Sequence, residues 1–166
     1  MSRQLRLIVA LALPVICLVA YAGWHGWIAV QGQKVTLPIR GFDPRDLLSG
    51  HYLIYQVDYG LKSLCAKTSQ PETGPFYLCL SSKKIHDGRP PSTSCRQYLR
   101  GRCERGRFRT GIERFYVPQK HARKLEKAVQ NRKGSVTLSL DGKGGAVVIE
   151  LLIEGRSWKQ WVAAEK

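Results

Sequence analysis

Residues 7–20, from Leu7 to Ala20, form an apolar run that no charge interrupts. Apolar character continues through Tyr21, Ala22, Trp24, Trp27, Ile28 and Val30. About 20 such residues cross the hydrocarbon core of a bilayer, so the pattern predicts a transmembrane helix over 7–30. Tyr21, Trp24 and Trp27 suit the far interface, and Arg3 and Arg6 hold the short 1–6 terminus in the cytoplasm. Pro14 is compatible with a spanning helix, because neighbouring groups satisfy the freed carbonyl. Cys17 reads as a small apolar residue of the span; Val15 and Ile16 are too bulky to precede a lipoprotein cysteine. A cleaved signal peptide is the alternative, since Ala20-Tyr21-Ala22 before Gly23 has a small-x-small pattern. The anchor is the preferred reading, with 31–166 forming a periplasmic domain on an inner-membrane protein.

Beyond the anchor the period falls to two. Lys34–Ile39 reads as a short strand, in which Pro38 suggests an edge or an early end. Asp43-Pro44 initiates a turn, and His51–Tyr59 follows as a strand with Leu53, Tyr55, Val57 and Tyr59 on one face. Phe76–Leu80 and Ile112–Val117 predict further strands, with a basic loop between them. Pro118 opens a helix to about Asn131, because Ala122, Leu125, Ala128 and Val129 recur at spacings of three and four. Lys127, Arg132 and Lys133 suit its C-terminal end, and Gly134 reads as its stop. Val136, Leu138 and Leu140 alternate, Asp141–Gly145 is a hairpin loop, and Ala146–Ile153 is the return strand. Trp158, Trp161 and Val162 are expected to cap an edge of the core. The fold class is α+β: a mainly antiparallel sheet or small barrel with one helix, behind the anchor.

Charge changes this picture. The formal net charge is +15, and residues 83–133 hold 16 Lys or Arg against 4 Asp or Glu. A field of that sign attracts polyanions. The predicted compartment points to anionic lipid, an envelope polymer or an acidic protein surface, and away from nucleic acid. A solvated basic face with no specific ligand is the plain alternative.

Four of the five cysteines, Cys65, Cys79, Cys95 and Cys103, lie beyond the anchor. An even number in an oxidising compartment predicts two disulfides. Sequence leaves three pairings open, of which the local one, Cys65–Cys79 with Cys95–Cys103, is the simplest. The gaps of 13, 15 and 7 residues lack the close pairs of a zinc site. No metal or other cofactor is expected.

The stretch Asp43-Pro-Arg-Asp-Leu-Leu-Ser-Gly-His-Tyr52 resembles the GDYXXLXY family of membrane-anchored bacterial proteins. Gly111–Pro118, the helix carrying Ala122, Leu125, Glu126 and Ala128, and the Asp141-Gly142 hairpin extend the similarity. The motif is altered: Gly50 and Tyr52 match, but His51 replaces Asp, Tyr55 replaces Leu and Val57 replaces Tyr. Gln119 stands where the family has Glu. The resemblance implies a β-rich fold and, since its members occur beside multi-pass membrane proteins, a partner role. On that basis the candidate binding residues are Asp43, Arg45, Asp46, Gly50, His51 and Tyr52, together with Glu113, Tyr116 and Pro118. The plain reading gives Gly50 a positive φ before a strand and gives Asp43 and Asp46 backbone N–H bonds in the turn, with Arg45 paired nearby.

Ser49 near His51 superficially suggests a hydrolase, but no third group orients the histidine and no Gly-x-Ser-x-Gly elbow exists. A Ser-x-Met signal-peptidase element is missing too, as Met1 is the only methionine. Asp43, Asp46 and Asp58 are poor candidates for paired acid–base work. The expectation is therefore a non-catalytic partner of an integral membrane protein. The alternatives are a cell-envelope hydrolase or transferase acting on an anionic polymer, or a simple binder of the anionic envelope.

Overall fold

The computed structural model describes residues 3–41, 52–60, 65, 74–90, 94–104 and 106–164. The apolar run is one helix, α1 (Arg3–Gln31), which passes through Pro14 without a break. Its stretch Leu7–Gln31 is 25 residues long, has a mean hydropathy of 2.3 and is not buried against the chain. At 1.5 Å per residue it is about 37 Å long, more than the ~30 Å hydrocarbon core. By length and composition it is a candidate membrane anchor. Cys17 is exposed on it.

Among the described residues ten strands and two more helices follow: β1 (Gln33–Gly41), β2 (Tyr52–Val57), β3 (Phe76–Cys79), β4 (Lys84–His86), β5 (Tyr98–Glu104), β6 (Arg107–Arg109), β7 (Arg114–Tyr116), α2 (Gln119–Gln130), β8 (Gly134–Leu140), β9 (Ala146–Ile153), β10 (Arg156–Ser157) and α3 (Trp158–Ala164). They form two sheets, ordered β10-β9-β8-β1-β2-β7 and β4-β3-β5-β6. The pairings within them are antiparallel, and the larger sheet curls as a half-barrel. The α+β expectation holds, with the short α3 added. Trp161 is buried on α3 while Trp158 and Val162 pack beside it, as expected of an edge cap.

The alternating positions behave as their period requires. Val136, Leu138 and Leu140 of β8 are buried, as are Leu151 and Ile153 of β9. On β2, Leu53 and Tyr55 are buried, with Val57 and, beyond the strand's end, Tyr59 packed against the core. Helix α2 covers this sheet with Leu125, Ala128 and Val129.

The helix stop differs from expectation. Arg132, at φ 58°, takes the left-handed position. Its amide bonds to Val129 O, and that of Lys133 to Ala128 O, a Schellman closure. Gly134 instead begins β8, where a Cβ would meet Val129 Cγ2 at 2.9 Å and Ile39 Cγ1 at 3.0 Å. It is a packing glycine that lets α2 lie close to the sheet.

The region read as a basic loop holds β4, β5 and β6. Leu99, Gly101 and Cys103 are buried, alternating with exposed Arg100, Arg102 and Glu104. A two-residue period is present, but glycine and cysteine fill its apolar positions.

The disulfides are Cys65–Cys103 and Cys79–Cys95, with Cα separations of 5.7 and 5.9 Å. This corrects the local pairing. Residues 98–103 are extended, so Cys103 lies about 17 Å from Tyr98 at ~3.4 Å per residue, which puts it out of bridging reach of Cys95. Cys79 ends β3 opposite Tyr98, which brings Cys95 alongside it.

Gly32 alone separates α1 from β1. Its amide completes the last helical turn on Ile28 O at 2.9 Å. The hydroxyl of Ser139, a wholly buried residue on β8, donates to the same carbonyl at 2.6 Å. A Cβ on Gly32 would stand 2.5 Å from Leu140 O. The apolar helix is thus bolted to the sheet with no flexible connection.

Candidate functional site, an arginine-lined cleft

A cleft of about 1210 Å³ opens where the two sheets meet. Arg40 comes from β1, Arg100 and Arg102 from β5, Arg107 and Arg109 from β6, and Arg114 from β7. Its acidic groups among the described residues are Asp58, Glu104 and Glu113.

The acids are occupied. Arg40 donates to Asp58 through Nε at 2.9 Å and Nη2 at 2.5 Å. The Gly60 N–H, and then Arg40, hold the Asp58 carboxyl below the usual carboxylate range. Glu104 stands 3.7 Å from Arg109. Glu113 accepts the amides of Thr110 and Gly111 at 2.8 and 2.9 Å, and the Thr110 hydroxyl at 3.3 Å. Its carboxylate is a clamp on the 110–113 turn, in which Gly111 has φ 85°.

Arg100, Arg102 and Arg114 have no acidic partner among the described residues. Arg102 and Arg109 are direct cross-strand neighbours. Like charges placed opposite one another destabilise a sheet; Glu104 reaches Arg109 at 3.7 Å, which leaves Arg102 to an external anion. Local conflicts of this kind concentrate at functional sites.

Two tyrosines support the cleft from the core side. The Tyr55 hydroxyl donates to Ile112 O, and the Tyr59 hydroxyl meets Thr110 Oγ1 at 3.3 Å. Burial, then the Glu113 charge, pushes the Tyr55 phenol well above its ordinary range; burial does the same for Tyr59. Both stay neutral under ordinary conditions and serve as hydrogen-bonding struts. Together with Glu113 they fix the turn that presents Arg114.

The sequence candidates divide. Asp43, Arg45, Asp46, Gly50 and His51 lie outside the described residues. Tyr52 begins β2, in register with Tyr116 of β7, while Ile54 pairs with Arg114. The strands that carry Ile54 and Arg114 are thus the ones that pair Tyr52 with Tyr116, which joins the two motif blocks. Tyr116 is 67% exposed. Glu113 is the turn clamp. Pro118 caps α2 with extended φ and ψ, and its carbonyl accepts the His121 amide at 2.9 Å, a structural role. The cleft arginines and Tyr59 were missed as a site. Their signal was the alternation Arg100, Arg102 and Arg107, Arg109 around small or apolar residues. Among the described residues no group of His, Cys, Asp or Glu is arranged to hold a metal ion.

Comparison with curated proteins gives no match, and comparison with solved structures gives none either. A family model described as GDYXXLXY protein matches residues 14–151. That span runs from within α1 into β9 and takes in both motif blocks and the cleft. The chain therefore belongs to the GDYXXLXY family.

Proposed function

We propose that this protein is a non-catalytic binding domain of the inner membrane, facing the periplasm, whose arginine-lined cleft receives an acidic segment of a neighbouring integral membrane protein. The observation that carries this reading is the one-residue junction at Gly32. A domain joined to its anchor without a linker reaches only what lies within about one domain diameter of the bilayer. Its ligand is therefore a neighbour in, or at the surface of, the same membrane. Arg3 and Arg6 ahead of the span favour a cytoplasmic N-terminus, and two disulfides favour an oxidising compartment on the other side.

The cleft supplies the specificity of such contact. Arginine binds carboxylates in a planar, two-pronged geometry. Three arginines without acidic partners, and two held opposite each other, favour a ligand with several negative groups. The exposed Tyr116, two residues along β7 from Arg114, adds an aromatic contact of the kind enriched in protein interfaces.

The test is capture of the tagged chain from its own membranes in mild detergent, with mass spectrometry of what accompanies it. A stoichiometric multi-pass protein, lost in Arg102→Glu with Arg114→Glu, is the expected result. Recovery of the chain alone at low salt refutes it. A second reading is a binder, hydrolase or transferase acting on an anionic envelope polymer, favoured by the size of the cleft. It predicts retention of purified polymer without any protein partner, falling steeply with salt.

A further inference from the structure

The tip of the β8–β9 hairpin, residues 141–145, sits beside the anchor. Lys143 Nζ lies 5.8 Å from the centre of the Trp24 ring. Tryptophans near the end of a spanning helix settle at the headgroup level. From Leu7 to Trp24 the helix already rises about 26 Å, close to the hydrocarbon thickness of ~30 Å. Lys143 is therefore held at the bilayer surface. The Gly32 junction and the Ser139 bond to Ile28 O keep it there.

A second cation reaches the same hairpin from another part of the chain. Arg89 Nε donates to the Tyr98 hydroxyl at 2.7 Å, and that hydroxyl donates to Gly142 O at 2.9 Å. The Arg100 amide donates to Gly144 O at 2.7 Å. Gly144 has φ 95°, and a Cβ there would meet Arg100 Cβ at 3.0 Å, so glycine is what lets the hairpin lie against β5. The nearby acid, Asp141, spends Oδ1 on the amides of Lys143 and Gly145. Arg89 and Lys143 are both exposed.

We infer that this hairpin, with Arg89 and Lys143, is a docking surface for anionic phospholipid headgroups of the membrane that holds α1. It is separate from any partner bound in the cleft. Two cations held at headgroup height attract acidic lipid, while Trp24 beneath them marks the depth. The hydrogen bonds through Tyr98 prearrange the site, so binding does not have to order it.

The experiment uses the full chain, purified and reconstituted in phosphatidylcholine bilayers without other protein. Equal mole fractions of acyl-brominated phosphatidylglycerol or acyl-brominated phosphatidylcholine are added, and tryptophan quenching is read. Bromine in the acyl region reaches Trp24 and Trp27, whereas Trp158 and Trp161, both on α3, give a constant background. The expected result is several-fold stronger quenching by the brominated anionic lipid, weakened by salt. Lys143→Gln reduces that excess and Lys143→Gln with Arg89→Gln abolishes it, while Lys143→Arg retains it. Equal quenching by the two lipids in the unaltered protein overturns the inference. So does an excess that survives the double substitution. Because no partner protein is present, failure of the partner reading leaves this result unaffected.

Discussion

Replacing Tyr55 tests whether the cleft is held by the struts described. The hydroxyl donates to Ile112 O, and Tyr55 and Ile112 are 1% and 6% exposed. Tyr55→Phe keeps the ring and removes the donor, which leaves a buried carbonyl without its bond. That costs about 1–3 kcal/mol. Tyr55→Leu, which restores the residue the family motif has there, also leaves a void worth a further ~1–2 kcal/mol. Tyr59→Phe is milder, below about 1 kcal/mol, because its contact with Thr110 is longer and Thr110 keeps Glu113. The assay is urea unfolding of the full chain in detergent, followed by tryptophan fluorescence, with an unchanged slope required before midpoints are compared. The pH profile adds an independent check. An unfolded tyrosine titrates near 10, but burial raises both phenols in the folded chain. Above about pH 10 the unfolded chain sheds protons that the folded chain keeps. Stability is thus fully present below that pH and falls as pH rises toward the folded values. Tyr55→Phe with Tyr59→Phe flattens this alkaline loss. Wild-type stability in Tyr55→Phe, or an alkaline slope untouched in the double variant, refutes the reasoning.

Other expectations follow from the same geometry. Non-reducing peptide mapping recovers Cys65 linked to Cys103 and Cys79 to Cys95. Removing the first pair costs about 4 kcal/mol and the second about 3, as the sequence separations of 38 and 16 require; urea midpoints give the order. Gly32→Ala destabilises by about 1–3 kcal/mol, because the opposing Leu140 oxygen is backbone, whereas Gly23→Ala and Gly26→Ala meet nothing within 4 Å and serve as neutral controls. The Asp58 carboxyl is held low by the Gly60 amide and then Arg40, so its contribution is present above about pH 4 and is lost as pH falls. Being partly exposed, it is worth at most about 1 kcal/mol, and Asp58→Asn flattens the acid limb of a thermal-melt series by that amount.

Strongly periodic segments were legible from sequence. The anchor, α2 and the β8–β9 hairpin have apolar positions filled by large side chains, and their folding follows the pattern. Strands β5 and β6 were not legible, because Gly101 and Cys103 hold the core face and arginines hold the other. The cysteine pairing escaped because it depends on which strands become neighbours, a non-local fact. Gly134 misled because close packing and helix termination favour the same residue. At the cleft, the basic character was visible as a charge run. Its concavity was not, because Arg40 and Arg114 come from strands separated by about half of the domain's sequence. Tyr55, read as a departure from the motif, proves to be compensated: its hydroxyl has a bonded carbonyl where the family's leucine needs none.

The most direct test of the partner reading is photocrosslinking in native membranes. A photoreactive residue is placed in turn at Arg102 and Arg114 in the cleft, and at exposed Ile149 on β9 as a control. The account predicts one membrane-protein adduct from positions 102 and 114, absent from 149 and reduced by high salt. Adducts of equal yield from all three positions, or none from the cleft while the protein is correctly inserted, contradict it.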